Sequence, residues 1–327
     1  MTTTAAAISL RGWRGFDDLV GMAAANQRLR TRVRLLEPIG VEEMRHHYEH
    51  LVNSELATDV RIVERDGETV GYIRVEWHNL EDGDRGFGLT VALDPSTWGT
   101  GAMDRALDWA EARCVSIAAT LPADRVTWLE DWVFEGDDEH IRALEARGYA
   151  RVRWGGQMLR PDLEAIVDMP VSAGYAIRSP QVHELPAVFE AAKAGFADEW
   201  GQVASDDWSY EEWVEDPRFR RDLVVVAWQG DVPVSVVHNL LTLQPDGEIR
   251  ALVDGVSTLP AHRRRGLARA CVAESLRRIK AAGATSAYLG VDQDSENRTV
   301  ALYEACGFRL VSETSSWRKR LALTVAK

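Results

Sequence analysis

Period-two alternation and stripes of period 3.6 divide the chain into two runs of similar elements. In the first run Ile8–Trp13 reads as a strand, and Phe16–Arg30 and Val41–Leu51 read as helices. VRIVER and ETVGYIRVEW alternate on both sides of Asp66-Gly67 and predict a hairpin. GFGLTVALD is the next strand. The turn Pro95–Gly101 then leads into a helix with an apolar stripe at Met103, Ala106, Leu107, Ala110 and Cys114. VTWLEDWVF predicts a strand, Glu139–Arg147 a helix closed by Gly148, and YARVRW and QMLR two more strands.

Pro161–Ala173 reads as a linker, after which the order returns. A strand at Tyr175–Arg178 precedes helices at His183–Phe196 and Tyr210–Val214. The strand LVVVAW meets VPVSVVHNLLTL across a turn at Gln229-Gly230-Asp231, and ALVDGVSTL follows. A basic turn, a helix with apolar Leu267, Cys271, Val272, Leu276 and Ile279, a strand, the helix ending at Gly307, and RLVSE and SWRKRLAL complete the run. Gly67 with Gly230, Gly99 with Gly266 and Gly148 with Gly307 give offsets of 163, 167 and 159. That spacing predicts a tandem duplication of one mixed α/β domain, over residues 1–163 and 174–327.

Bulk properties narrow the class. A chain of 327 residues suits two domains, and 46% apolar with 27% charged residues is a globular composition. A net charge of −13 argues against a nucleic-acid partner. No apolar run is long enough for a membrane span, and the N-terminus lacks the basic and apolar regions of a secretory signal. Cys114, Cys271 and Cys306 are scattered, without a CxxC pair, so a cytoplasmic protein without disulfides or a zinc site is expected. His46, His47 and His50 offer two imidazoles four apart, but no HExxH order and no third ligand accompany them, and no metal is expected.

The chemistry gathers in 254–308. Arg263-Arg264-Arg265-Gly266-Leu267-Ala268 lies between a strand and an amphipathic helix. A helix N-terminus offers unsatisfied N–H groups and a partial positive charge, and the small Gly266 and Ala268 let a ligand approach the backbone, so the turn suits a pyrophosphate. The plain alternative is a solvated basic helix start. Neither GxxxxGK[ST] nor GxGxxG is present, which sets aside nucleotide hydrolysis and hydride transfer.

Arg-x-x-Gly-x-Ala at 263–268, with LYEACGF at 302–308, resembles the paired signatures of the GNAT acyl-CoA N-acyltransferases, and the resemblance runs through nearly the whole chain twice. The two-copy arrangement is similar to that of mycothiol synthase and related actinobacterial proteins. The resemblance implies two domains, each a central mixed, mostly antiparallel sheet flanked by helices, with acetyl-CoA as co-substrate and direct attack in a ternary complex. It implies that pantetheine lies along Val256, Ser257 and Thr258 between splayed strands. The pyrophosphate would lie on Arg263, Arg264, Arg265, Gly266, Leu267, Ala268 and Arg269, with Asn297 nearby. Tyr303 matches the general acid, and Asp254 is the expected base, needed because an alkylamine must lose a proton before it attacks.

Glycine matching sets Ser96 against the signature arginine and Leu144 against Tyr303, so the first copy is expected to lack the same chemistry. It keeps Val91, Leu93, Gly99, Thr100 and Gly101 as a possible CoA cradle or serves as a structural shell. Between Asp198 and Asp216 lie eight carboxylates, three tryptophans and no Lys or Arg. Trp200, Asp206, Asp207 and Trp208 are therefore the expected lining for a small, positively charged amine acceptor, with an ordinary solvated helix pair as the alternative. Two other functions stay open: a mycothiol-synthase-like acyltransferase and a non-catalytic acyl-CoA-binding or sensing protein. The oligomeric state is not legible.

Overall fold

The computed structural model describes residues 8–36, 38–204, 209–244 and 246–322. Two compact units divide it: Met1–Arg153 with Thr314–Lys327, and Trp154–Glu313.

In the first unit β1 (Ile8–Gly12), β2 (Val60–Arg65), β3 (Glu68–Asn79) and β4 (Arg85–Leu93) pair antiparallel in sequence order. β5 (Thr127–Phe134) pairs parallel to β4. Helices α1 (Asp18–Arg32) and α2 (Val41–Glu49) cover one face; the single turn α3 (Leu56–Asp59) leads into β2. Helices α4 (Ala102–Ala118) and α5 (Asp138–Ala146) cover the other. The stripe expected on α4 is the buried one: Met103, Ala106, Leu107, Ala110 and Cys114 are all in the core.

The second unit repeats the plan. β7 (Ala176–Arg178), β8 (Val225–Gln229), β9 (Val232–Leu243) and β10 (Ile249–Thr258) are antiparallel, and β11 (Ser286–Asp292) joins β10 in parallel. Helices α6 (Leu185–Phe196) and α7 (Tyr210–Glu215) lie on one face. Helices α8 (Leu267–Ala281) and α9 (Thr299–Ala305) lie on the other, with Leu267, Cys271, Val272, Leu276 and Ile279 buried.

The ends of the two runs differ from expectation. YARVRW and QMLR form one strand, β6 (Ala150–Arg160), and RLVSE and SWRKR form one strand, β12 (Arg309–Arg320). Gly155-Gly156 reads in sequence as a break, but the strand runs through it. A Cβ on Gly156 would lie 2.6 Å from the Ser312 carbonyl oxygen, so close backbone approach is what requires glycine there. Each long strand serves both units. Residues 155–160 of β6 pair with β11 inside the second unit, and residues 314–320 of β12 pair with β5 inside the first. The compact units are therefore not the linear spans 1–163 and 174–327.

Arg160, at the end of β6, is buried without a carboxylate partner among the described residues. Its guanidinium donates to the carbonyls of Asp162 (3.0 Å), Ala165 (2.8 Å) and Cys306, the last at the C-terminal end of α9. Arg160→Met leaves those carbonyls unsatisfied, and urea unfolding is expected to show a loss of about 2–4 kcal/mol.

Candidate active site

β10 and β11 pair over only three residues, from Arg250↔Ser286 to Leu252↔Tyr288, although β10 continues to Thr258 and β11 to Asp292. The two strands therefore part at their C-terminal ends. The β9–β10 register shifts between Val253 and Gly255, which makes Asp254 the extra residue of a bulge and bends β10 at the start of the gap. The end of α6 closes over the gap. Gly195 sits so near β10 that a Cβ would lie 2.8 Å from Ser257 Cβ, and the Phe196 ring lies over Gly255. A cavity of about 790 Å³ results, bounded by α6, β10, α8 and α9 and contained in the second unit.

The turn before α8 forms one wall. Arg264 (φ 60°) and Gly266 (φ 76°) both adopt the left-handed conformation, and no side chain caps α8. The first amides of the helix, at Leu267, Ala268 and Arg269, thus open toward the cavity these residues line. No protein carboxylate pairs with Arg264, Arg265 or Arg298 among the described residues, and Arg264 and Arg298 line the cavity. Backbone donors, a helix dipole and unpaired guanidinium groups fit a diphosphate.

Arg263 is placed differently. Its Nε donates to the Thr258 carbonyl at 3.0 Å, Nη2 to the Gly195 carbonyl at 3.0 Å, and both Nη atoms to Asp198. It ties β10 to α6, and its guanidinium is already engaged. Hydrogen bonds from Arg263 hold the Asp198 carboxyl below its ordinary value. Because the folded pKa is depressed, the tie contributes fully above the ordinary carboxylate pKa of about 3.9 and is lost as the pH falls through the depressed folded value. Arg263→Met is therefore expected to lower thermal stability more at pH 7 than in strong acid, where only the contacts to the Thr258 and Gly195 carbonyls remain to be lost, as differential scanning calorimetry at the two pH values would report.

Tyr303, on α9, is buried and lines the cavity. Burial, with smaller contributions from Cys306 and Glu199, raises its phenol well above the ordinary range, so it carries its proton at neutral pH. Val256 and Thr258 line the same space; Ser257 is buried beside them. Asn297 also lines it, and its side chain donates to Glu199 at 3.0 Å, linking the α9 entrance to the end of α6. Asp254 is not among the lining residues: its exposed carboxylate lies 3.4 Å from His238 Nδ1 on β9.

The acidic stretch is partly neutralised by arginines outside it. Asp198 pairs with Arg263 and Asp216 with Arg218, and Trp213 packs against Phe189, Phe219 and His238. Trp200 is 38% exposed. Asp206, Asp207 and Trp208 lie outside the described residues. Among the described residues no group of three or more His, Cys, Asp or Glu is arranged to hold a metal ion, and no helix is long and apolar enough to cross a membrane.

Backbone geometry corrects the alignment of the two copies. Gly99 (φ 75°) and Gly101 (φ 77°) repeat the left-handed pair Arg264 and Gly266, and Gly101 begins α4 as Gly266 begins α8. The offset at this turn is thus 165, not 167, because an arginine holds the position that glycine holds in the first copy. Trp98, rather than Ser96, stands against Arg263, and Met103 stands against Ala268. Val91 and Leu93 are buried in the core beneath α4, on a β4 that pairs with β3 without a bulge.

The amide of Gly99 donates to both carboxylate oxygens of Glu139, at 3.0 and 3.1 Å. Glu139 stands where the second copy has the cavity arginine Arg298. His140, against Thr299, is buried with Nε2 2.9 Å from Asp131; burial opposes its protonation, yet Asp131 and Asp137 together hold its pKa above the ordinary value. The Gly99 amide of the first copy's turn is thus satisfied by the chain's own carboxylate.

Two informative residues, Glu139 and His238, were missed in the sequence. His238 was reachable in part: counting outward from the Leu243↔Ile249 pair sets it opposite Asp254, and the bulge then moves it opposite Gly255.

A sequence model of the acetyltransferase (GNAT) family matches residues 19–149 and again 185–308. No curated protein matches the sequence. Among solved structures, a GCN5-related N-acetyltransferase from Sphaerobacter thermophilus superposes with a TM-score of 0.74 at 19% identity, over 96% of this chain and 95% of that one. A tandem GNAT protein from the clavulanic acid biosynthesis pathway gives 0.68 at 14% identity, over 96% and 98%. The glucosamine N-acetyltransferase region of a fungal multi-domain β-N-acetylglucosaminidase gives 0.68 at 14%, over 97% of this chain and 38% of that one. At these identities the likeness is one of fold.

Proposed function

The chain belongs to the GNAT acetyltransferase family, and from that premise we propose that its second unit transfers an acetyl or other short acyl group from acyl-CoA to the amine of a small, cationic molecule in a ternary complex. The observation that carries this reading is the uncapped start of α8, which opens, with Arg264 and Arg298, onto a cavity of about 790 Å³ that Tyr303 also lines. Acyl-CoA, when bound, supplies an activated thioester and a diphosphate.

The chain's own groups divide the remaining work. The amides of Leu267, Ala268 and Arg269, with Arg264, Arg265 and Arg298, hold the diphosphate. Backbone groups at Val256, Ser257 and Thr258 align the pantetheine arm, and the Val256 N–H polarises the thioester carbonyl. Tyr303 keeps its proton at neutral pH and gives it to the departing sulfur. Glu199 adds negative charge on the acceptor side.

Release of CoA thiol is the direct assay, with acetyl-CoA and a panel of glucosamine, spermidine, a peptide with a free N-terminus and a cysteinyl amino sugar. Turnover of at least one amine is expected. Binding of acetyl-CoA without turnover of any amine would favour a non-catalytic acyl-CoA-binding protein and overturn the reading. The double variant Arg264→Ala with Arg298→Ala removes charge-assisted contacts, and isothermal titration is expected to show acetyl-CoA bound about 10–100-fold more weakly.

A further inference from the structure

The face of β9 under α7 holds a histidine that none of these roles uses. His238 is 6% exposed, and its Nε2 is buried with no hydrogen-bond partner among the described residues. Its Nδ1 lies 3.4 Å from Asp254 Oδ2. A carboxylate accepts hydrogen bonds and donates none, so Nδ1 carries the proton of that contact and Nε2 of the neutral ring presents a lone pair. A buried lone pair without a donor is unusual and needs a reason.

The surroundings supply one. His238 lies directly across the sheet from Gly255, the residue before Val256. Phe196, which covers Gly255, lines the cavity. Trp213 and Phe219 stand against the imidazole with ring centroids 5.6 and 5.8 Å away. None of His238, Trp213 and Phe219 lines the cavity; the imidazole stands behind the bulge of β10 that bounds it, with a lone pair that can take a proton passed on by water.

The geometry points to His238 as the group that takes the acceptor's proton through a water molecule, with Asp254 as the positioning residue that fixes its tautomer. Asp254, the base expected from the sequence, thereby acts through the imidazole. This inference rests on the acyl-transfer reading. A water molecule takes one proton from the acceptor's ammonium group and passes one to His238 Nε2, which frees the nitrogen lone pair. That pair forms the new C–N bond at the acyl carbon as the C–S bond breaks. Tyr303 protonates the departing sulfur and recovers a proton from the new amide nitrogen. The proton on His238 returns to water, so each turnover gives one amide, one CoA thiol and one released proton.

The test uses the full chain as wild type, His238→Gln, Asp254→Asn and Asp254→Glu. Acetyl-CoA binding is followed by isothermal titration, thiol release with the best amine of the panel, and histidine tautomers by 15N NMR of histidine-labelled protein. His238→Gln is expected to bind acetyl-CoA as the wild type does and to lose on the order of 10²-fold in kcat. Asp254→Asn is expected to lose about tenfold in kcat and to shift the His238 ring away from its Nδ1–H tautomer, and Asp254→Glu to restore both in part. Wild-type kcat in His238→Gln, or an Nε2–H tautomer for His238 in the wild type, would overturn the assignment while leaving acyl transfer intact. A wild type that binds acetyl-CoA and turns over no amine would overturn the acyl-transfer reading, and the base with it. Should His238→Gln fail to fold, Asp254→Asn, whose side chain is exposed, decides through kcat and the tautomer.

Discussion

Tyr303→Phe is expected to lower kcat by about 10²–10³-fold while acetyl-CoA binds with unchanged affinity. The phenol is buried on α9, lines the cavity and is held protonated by its surroundings. Phenylalanine keeps the ring and its edge contact with Phe308, so the packing survives and only the transferable proton is lost. The effect belongs in kcat because the thiolate needs a proton only as it leaves. Stopped-flow thiol release with saturating acetyl-CoA separates the two quantities. A variant turning over at the wild-type rate would remove Tyr303 from the chemistry.

Acetyl-CoA is expected to bind one equivalent per chain, and Ala268→Trp to weaken that binding by at least about 100-fold. Ala268 stands in the first turn of α8, where any bulk fills the space a diphosphate needs. The first copy carries Met103 at that position, and Glu139 occupies its turn amide. Glu139→Ala removes the carboxylate but not Met103, Trp98 or the buried His140–Asp131 pair, so the stoichiometry of that variant is expected to stay at one. Isothermal titration reports both numbers. A stoichiometry of two in the wild type would mean that the first copy also accepts acyl-CoA.

Much of the architecture was legible because it depends on local pattern. The stripe Met103–Cys114 and its counterpart from Leu267 to Ile279 have the helical period, and both are buried where that period puts them. The turn before α8 was legible for a related reason, since a glycine between a strand and an amphipathic helix leaves few backbone solutions. Its alignment with the first copy was not, because Arg264 adopts a conformation that sequence comparison assigns to glycine. The long strand β6 was divided in two for the converse reason: Gly155-Gly156 looks like a turn, but at Gly156 glycine serves close backbone packing.

Partnerships between distant side chains were the least accessible. Arg263 reads as a phosphate ligand until Asp198, Gly195 and Thr258 are seen to take up its donors. Glu139 becomes informative only once it meets Gly99, forty positions earlier. His238 can be counted across the turn to Asp254, but its enclosure by Trp213 and Phe219 shows only in the fold. In each case the residue type was visible, but its partner was fixed by tertiary contacts that no local period encodes.

A crystal structure of the full chain with acetyl-CoA tests most directly which copy works. The diphosphate is expected on the amides of Leu267 to Arg269, with the pantetheine arm between β10 and β11 and the thioester within reach of Tyr303. A diphosphate bound instead at Gly99–Gly101, with Glu139 displaced and the second cavity empty, would contradict the assignment of the second copy as the catalytic one.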